Sequence, residues 1–166
     1  LHGVRAKPLY TAEQKRRRDA SGWTLVQGVL APLQFLVFLV SVALVLRCLA
    51  TGQGAAAATL SILVKTMVLY AIMITGAIWE KAVFGRYLFA PAFFWEDVVG
   101  MVVIGLHTAY VVALLCGALG TRGQLTLALA AYCTYAFNAA QFILKLRAAR
   151  RMAPLEAPAP ATAHAT

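Results

Sequence analysis

Acidic side chains are scarce in this sequence: six Asp and Glu stand against 15 Lys and Arg among 166 residues. Charge of either sign is thin as well, at 13% of residues, where a water-soluble domain carries about 25%. That shortage excludes an ordinary soluble domain. The three cysteines, Cys48, Cys116 and Cys133, have no metal-binding or redox spacing. Cys48 and Cys116 both fall near the outer ends of apolar stretches, so a bond between them is one reading and apolar filler the favoured one. Also missing are a phosphate-binding glycine loop, a nucleophile elbow, a Cys/His metal cluster and a flavin fingerprint. Nucleotide-dependent redox chemistry and phosphoryl transfer are thereby set aside.

What is present is apolar. Hydrophobic residues make up 61% of the chain, and mean hydropathy is +0.75. Four apolar stretches, about 23–50, 55–79, 98–119 and 124–146, are each long enough to cross the ~30 Å hydrocarbon core, which takes about 20 helical residues. They are apolar all round, as expected when lipid covers one side and other helices the other. The predicted fold is therefore all-α, an integral membrane four-helix bundle spanning 23–150. A polar basic arm, 1–22, precedes it, and a Pro- and Ala-rich tail, 151–166, is expected to be disordered. The first stretch is too long for a signal-peptide core and lacks a small-residue cleavage motif after its basic flank, so it stays as a helix.

The formal charge of +9 is distributed unevenly. Six Lys and Arg precede the first span, Lys81 and Arg86 lie between spans two and three, and Lys145, Arg147, Arg150 and Arg151 follow the last. The other two connections hold only Arg47 and Arg122 at their edges. This positive-inside bias places both termini and the central connection in the cytoplasm. Nucleic acid is a poor explanation for basic residues that flank hydrophobic spans; anionic lipid headgroups account for them.

Short Gly-containing turns, 51–54 and 120–123, join the first and last pairs of spans. Residues 11–19 read as a short surface helix capped by Thr11. Pro32 is expected to kink the first span. The central connection, 79–97, differs: it holds seven aromatics, three acids and two bases, with Gly85 and Pro91 breaking any continuous helix. Interfacial anchoring explains part of that aromatic content. The remainder suggests one wall of a pocket for a flat apolar molecule.

Polar residues in or beside the spans are the candidates for chemistry. Glu80, Glu96 and Asp97 stand beside Trp79 and Trp95. A carboxyl held against aromatics keeps its proton near neutral pH, as a general acid requires; pairing with Lys81 and Arg86 is the equal alternative. His107 lies near the bilayer midplane, where its ring can bond a neighbouring helix or ligate the metal of a tetrapyrrole. Lys65, mid-span, calls for an anionic partner or a ligand, whereas Lys145 can snorkel to the interface. Gln27 and Gln34 share one helix face, and Asn138, Gln141 and Lys145 share another. Interhelical hydrogen bonding is their favoured role.

The blocks WTLVQGVLAPLQF (23–35), GAIWEK (76–81), YLFAPAFFWED (87–97) and LHTAY (106–110) closely resemble the vinyl-bacteriochlorophyllide hydratase family of phototrophic bacteria. The resemblance runs from about Tyr10 to Arg150. It implies a hydro-lyase that adds water across the C3-vinyl group of a chlorophyllide or bacteriochlorophyllide, giving a 3-(1-hydroxyethyl) substituent. It further implies an intracytoplasmic or other inner bacterial membrane, a tetrapyrrole substrate that brings its own magnesium, and no separate cofactor. Other pigment-synthesis enzymes or further copies of the chain are the protein partners to consider. The family's catalytic residues do not transfer, so roles rest on the residues themselves. Glu96 or Glu80, then Asp97, would protonate the vinyl group. His107 or a second carboxylate would position the water, or His107 would ligate the substrate magnesium. Lys65, Lys81 or Arg86 would pair with the propionate, and Trp79, Phe93, Phe94 and Trp95 would stack on the ring. The rival reading is a pigment-binding chaperone or assembly factor, which needs the aromatics but not the acids. A small transporter or scaffold subunit is the third.

Overall fold

The computed structural model describes residues 7–153. Residues 1–6 of the expected arm and 154–166 of the expected tail lie outside the described residues. Five helices and no strand occur among the described residues: α1 (Ala12–Ala20), α2 (Gly22–Thr51), α3 (Ala55–Phe84), α4 (Phe94–Cys116) and α5 (Thr121–Met152). The last four are long and apolar enough to cross a membrane.

Helix boundaries follow local chemistry. Thr11 caps α1 in a reciprocal box with Gln14, each side chain bonding the other residue's backbone N–H. Ser21 ends α1 and caps α2, its hydroxyl accepting from the Trp23 N–H. Pro32 lies inside α2, which continues on both sides of it. The turn after α2 uses Gly52 and Gly54 at φ 71° and 81°, a left-handed conformation that costs glycine little.

The helices extend further than apolarity alone marks. α3 runs to Phe84 and α4 starts at Phe94, so the central connection shrinks to 85–93. Glu80 and Lys81 thus sit on the last turns of α3, and Trp95, Glu96 and Asp97 on the first turn of α4. α5 continues to Met152, past the apolar run and into the basic segment.

α2 packs against α3 and α4 against α5 as two helical hairpins, and thinner α2–α5 and α3–α4 contacts join them. The two short turns lie at one end of the bundle; the 85–93 loop, α1 and the end of α5 lie at the other. Val45, Ile62, Tyr110, Leu125 and Tyr132 form the core near the turn end, and Leu69, Val103 and Tyr135 form a second cluster at mid-depth. Large apolar residues elsewhere face outward, Leu25 at 72% and Leu115 at 80% exposure, as lipid contact requires.

Lipid removes most of the hydrophobic drive for helix association, so packing and interhelical hydrogen bonds hold such a bundle together. Gln27 donates to Thr75 (2.6 Å) and Trp79 to Thr24 (2.9 Å) across α2–α3. Ser41 bonds both Ser61 (2.7 Å) and Tyr132 (2.6 Å), linking α2, α3 and α5. Tyr70 bonds Thr108 (2.6 Å) across α3–α4. Gly76 lets α3 come close to α2, since an added Cβ would lie 3.3 Å from the Gln27 amide oxygen, which would have to shift slightly. Cys48 is buried, Cys116 is exposed, and both are free cysteines, so the bond considered between them is not formed.

Candidate active site

The loop end of the bundle gathers the three acids of the spans. Gly85, at φ 83°, terminates α3, and Phe89 adopts φ 59°, a conformation that costs a residue with a Cβ roughly 1–2 kcal/mol. In return, successive loop amides point at two carboxyls. The Phe89 N–H donates to Asp97 Oδ2 (2.8 Å), and the Ala90 N–H donates to Glu80 Oε2 (3.2 Å). Glu80 and Asp97 are each 5% exposed, and their carboxyls lie within hydrogen-bonding reach of one another. A hydrogen bond between two carboxyls needs a proton on one of them. One proton shared between them satisfies that bond.

Glu96 is equally buried but is differently employed. Its Oε2 accepts from Lys145 Nζ (2.7 Å), which also donates to the Ala92 carbonyl (2.6 Å). Asn138 adds a bond from its amide to the Glu96 backbone carbonyl (2.8 Å) and another to Gln141 (3.2 Å). Lys145 therefore does not snorkel freely; it ties α5 to the loop and to the first turn of α4. Its register with Asn138 and Gln141 placed Lys145 on an interhelical hydrogen-bonding face in the sequence, but its pairing with Glu96 and Ala92 was not foreseen. The pairing of the acids with Lys81 and Arg86 does not form. Lys81 donates to the Gly85 carbonyl (2.9 Å), and Arg86 is exposed.

The expected aromatic wall divides into two groups. Phe93, 2% exposed, is the centre of an inner cluster with Trp79 (5.7 Å between centroids), Phe84 (5.8 Å), Phe142 (5.7 Å) and Tyr10 (6.4 Å). Tyr10 stacks on Phe84 as well, at 5.8 Å. Arg18 lies over the Tyr10 ring, so the arm is fastened across this cluster. Phe94, Trp95 and Tyr87 instead face outward, Trp95 at 67% exposure, and Lys81 Nζ lies 5.5 Å from the Tyr87 ring centroid. Phe94 meets Phe89 (5.8 Å) and Trp95 (5.3 Å), making an aromatic outer face that leads directly to the Asp97-bonded loop.

Lys65 and His107 do not join this cluster. Ten residues separate His107 from Asp97, about 15 Å along α4. His107 is 1% exposed; its Nδ1 lies 2.8 Å from the Val103 carbonyl, and its Nε2 is buried with no partner. Lys65 is wholly buried, its Nζ without a hydrogen-bond partner among the described residues and 3.5 Å from the centroid of the Tyr135 ring. Among the described residues no group of three or more His, Cys, Asp and Glu is arranged to hold a metal ion.

The fold and this site define a small membrane-embedded protein with buried carboxyls and aromatic side chains gathered at one end. More specifically, the chain belongs to the 2-vinyl bacteriochlorophyllide hydratase family, whose model matches residues 10–148. It is 67% identical over 143 residues to the 2-vinyl bacteriochlorophyllide hydratase of Cereibacter sphaeroides, covering 86% of this chain and 88% of the relative. It is 63% identical over 150 residues to the protein of the same name from Rhodobacter capsulatus, covering 90% of this chain and 87% of the relative. No solved structure matches the chain. The matched region includes α1 to α5 up to residue 148, with every residue of the site described above.

Proposed function

We infer that this chain is a hydro-lyase that adds water across the ring vinyl group of a chlorophyllide or bacteriochlorophyllide, in the membrane of a phototrophic bacterium. Family membership supports the reaction, and one observation connects it to the geometry: Glu80 and Asp97 lie together, buried beside an aromatic surface. The pair supplies a proton to the terminal vinyl carbon. The cation left on the adjacent carbon is delocalised into the macrocycle. Water adds there and loses a proton, which restores the carboxyl pair and leaves a 1-hydroxyethyl group. Nothing is oxidised or reduced, so the chemistry balances without a redox cofactor; the magnesium arrives with the substrate.

Glu80 and Asp97 are thus assigned the general-acid role. Glu96, whose Oε2 is engaged by Lys145, instead steadies the first turn of α4. Phe94, Trp95 and Tyr87 offer the outward surface on which a flat ring stacks, and Trp79 and Phe93 back it from within. Lys81 and Arg86 are the partners for an ionised propionate. Lys65 and His107 are enclosed at mid-depth and take no direct part in this binding. The basic arm, the loop and the basic end of α5 lie at one end of the bundle, and the positive-inside rule assigns that end to the cytoplasm.

Expression in a host lacking pigment synthesis, with a vinyl chlorophyllide supplied, tests the reaction. The expected product is heavier by the mass of one water. Pigment recovered bound but unchanged would favour the carrier reading instead.

A further inference from the structure

Five buried side-chain atoms lack hydrogen-bond partners among the described residues: Gln34 Oε1, Lys65 Nζ, His107 Nε2, Tyr110 OH and Gln124 Oε1. None belongs to the carboxyl site. Tyr135 links two of them, Lys65 Nζ lying 3.5 Å from its ring centroid and Gln34 beside its hydroxyl, and His107 is within electrostatic reach of Lys65.

Their chemistry is complementary. A carbonyl only accepts, so the His107 nitrogen 2.8 Å from the Val103 oxygen carries the ring hydrogen. In the neutral ring Nε2 is then a lone pair seeking a donor. Lys65 has hydrogens to donate and only the Tyr135 ring face against it. Gln34 offers an oxygen, and its amide lies beside the Tyr135 hydroxyl. The group that satisfies all three accepts from an ammonium and donates to an imidazole and to an amide oxygen. It must also fit among residues no more than 4% exposed. Water meets each requirement, and three polar partners are what a buried water usually has.

We propose that Lys65, His107 and Gln34 bind water inside the membrane-spanning bundle, at a site separate from the carboxyl pair. Polar groups continue from it toward the turn end. A cavity of about 110 Å³ opens there, lined in part by Thr59, Thr121 and Gln124. Gln124 leads to the Tyr110 backbone carbonyl (2.6 Å), and the Ser41–Ser61–Tyr132 hydrogen-bond cluster continues inward to His107, whose ring lies 5.7 Å from that of Tyr132. The proposal goes beyond the hydratase reading, whose carboxyl site lies about 15 Å away along α4. The water site provides a hydrated interior on the side away from the aromatic docking surface. Its existence does not depend on that reading.

Solid-state NMR on the full chain in lipid bilayers, with ¹⁵N-labelled histidine and lysine, reads the site directly. His107 is the sole histidine in the spans, the others being His2 and His164. Magnetisation started on water is expected to reach His107 Nε2 far faster than it reaches the backbone amide of the lipid-facing Leu115. The nitrogen shifts should report a neutral ring protonated at Nδ1. Gln34→Leu, which leaves both nitrogens in place, should cut the transfer several-fold. Transfer to His107 no faster than to Leu115 would overturn the proposal, as would a rate that Gln34→Leu does not change. Neither outcome touches the hydration assay, so a failed water site and a failed hydratase reading are distinguishable.

Discussion

Glu80 and Asp97, 17 residues apart in the chain, meet at the junction of α3 and α4 and take their backbone donors from the adjacent residues Ala90 and Phe89. Neither helix positions the pair alone. The left-handed turn at Phe89 aims both amides, and the Gly85 break makes that turn accessible.

Replacing either acid by its amide keeps size and hydrogen-bonding capacity but removes the shared proton. Glu80→Gln or Asp97→Asn should slow hydration by about 10²–10⁴-fold, the usual weight of general acid–base assistance. Pigment binding, followed by absorbance in membranes, should change little. The expected signature is a fall in kcat with KM nearly constant.

Glu96→Gln should behave differently, because Glu96 serves as the acceptor of Lys145 rather than as a proton donor. The variant should keep most of its hydration rate in the same assay. Lys145→Met is the harsher change, leaving both the Glu96 carboxylate and the Ala92 carbonyl without their donor. A loss of about 1–3 kcal/mol in stability is expected for such unsatisfied groups. Thermal unfolding in detergent measures it, and Lys145→Arg should recover part of it.

Membrane spans were legible in the sequence because four runs of some 20 or more apolar residues admit few other folds. Their ends were not, since helix continues wherever caps and backbone bonding permit, as in the run from Trp79 to Phe84. The acids and aromatics of the loop stood out by composition alone. Which carboxyl pairs with which did not, because that depends on the backbone path through Gly85 and Phe89. For Lys145 the α5 periodicity gave an inward polar face with Asn138 and Gln141, but its partners Glu96 and Ala92 come near only through the α3–α4 loop. His107 and Lys65 were legible as mid-span polar residues, yet their burial without partners, apart from the carboxyls, emerged only once packing was known.

The outward aromatics give a separable effect. Trp95→Ala removes an exposed ring that makes no hydrogen bond among the described residues. It should raise KM for the pigment severalfold while leaving kcat and thermal stability near their original values. Steady-state kinetics over a range of pigment concentrations distinguishes this from damage to the carboxyl site.

Tyr132→Phe deletes the hydroxyl that joins α5 to Ser41. Interhelical hydrogen bonds in membranes average about 0.6 kcal/mol, so a small loss of that order is expected in reversible unfolding measurements. Hydration rates should be unaffected.

The most direct test of the shared-proton site is a double-mutant cycle on hydration rate, comparing Glu80→Gln, Asp97→Asn and the double variant. Two groups that hold one proton act as a unit, so the double variant should be hardly slower than the worse single variant. Penalties that simply multiply, or single variants that hydrate at the full rate, would contradict it.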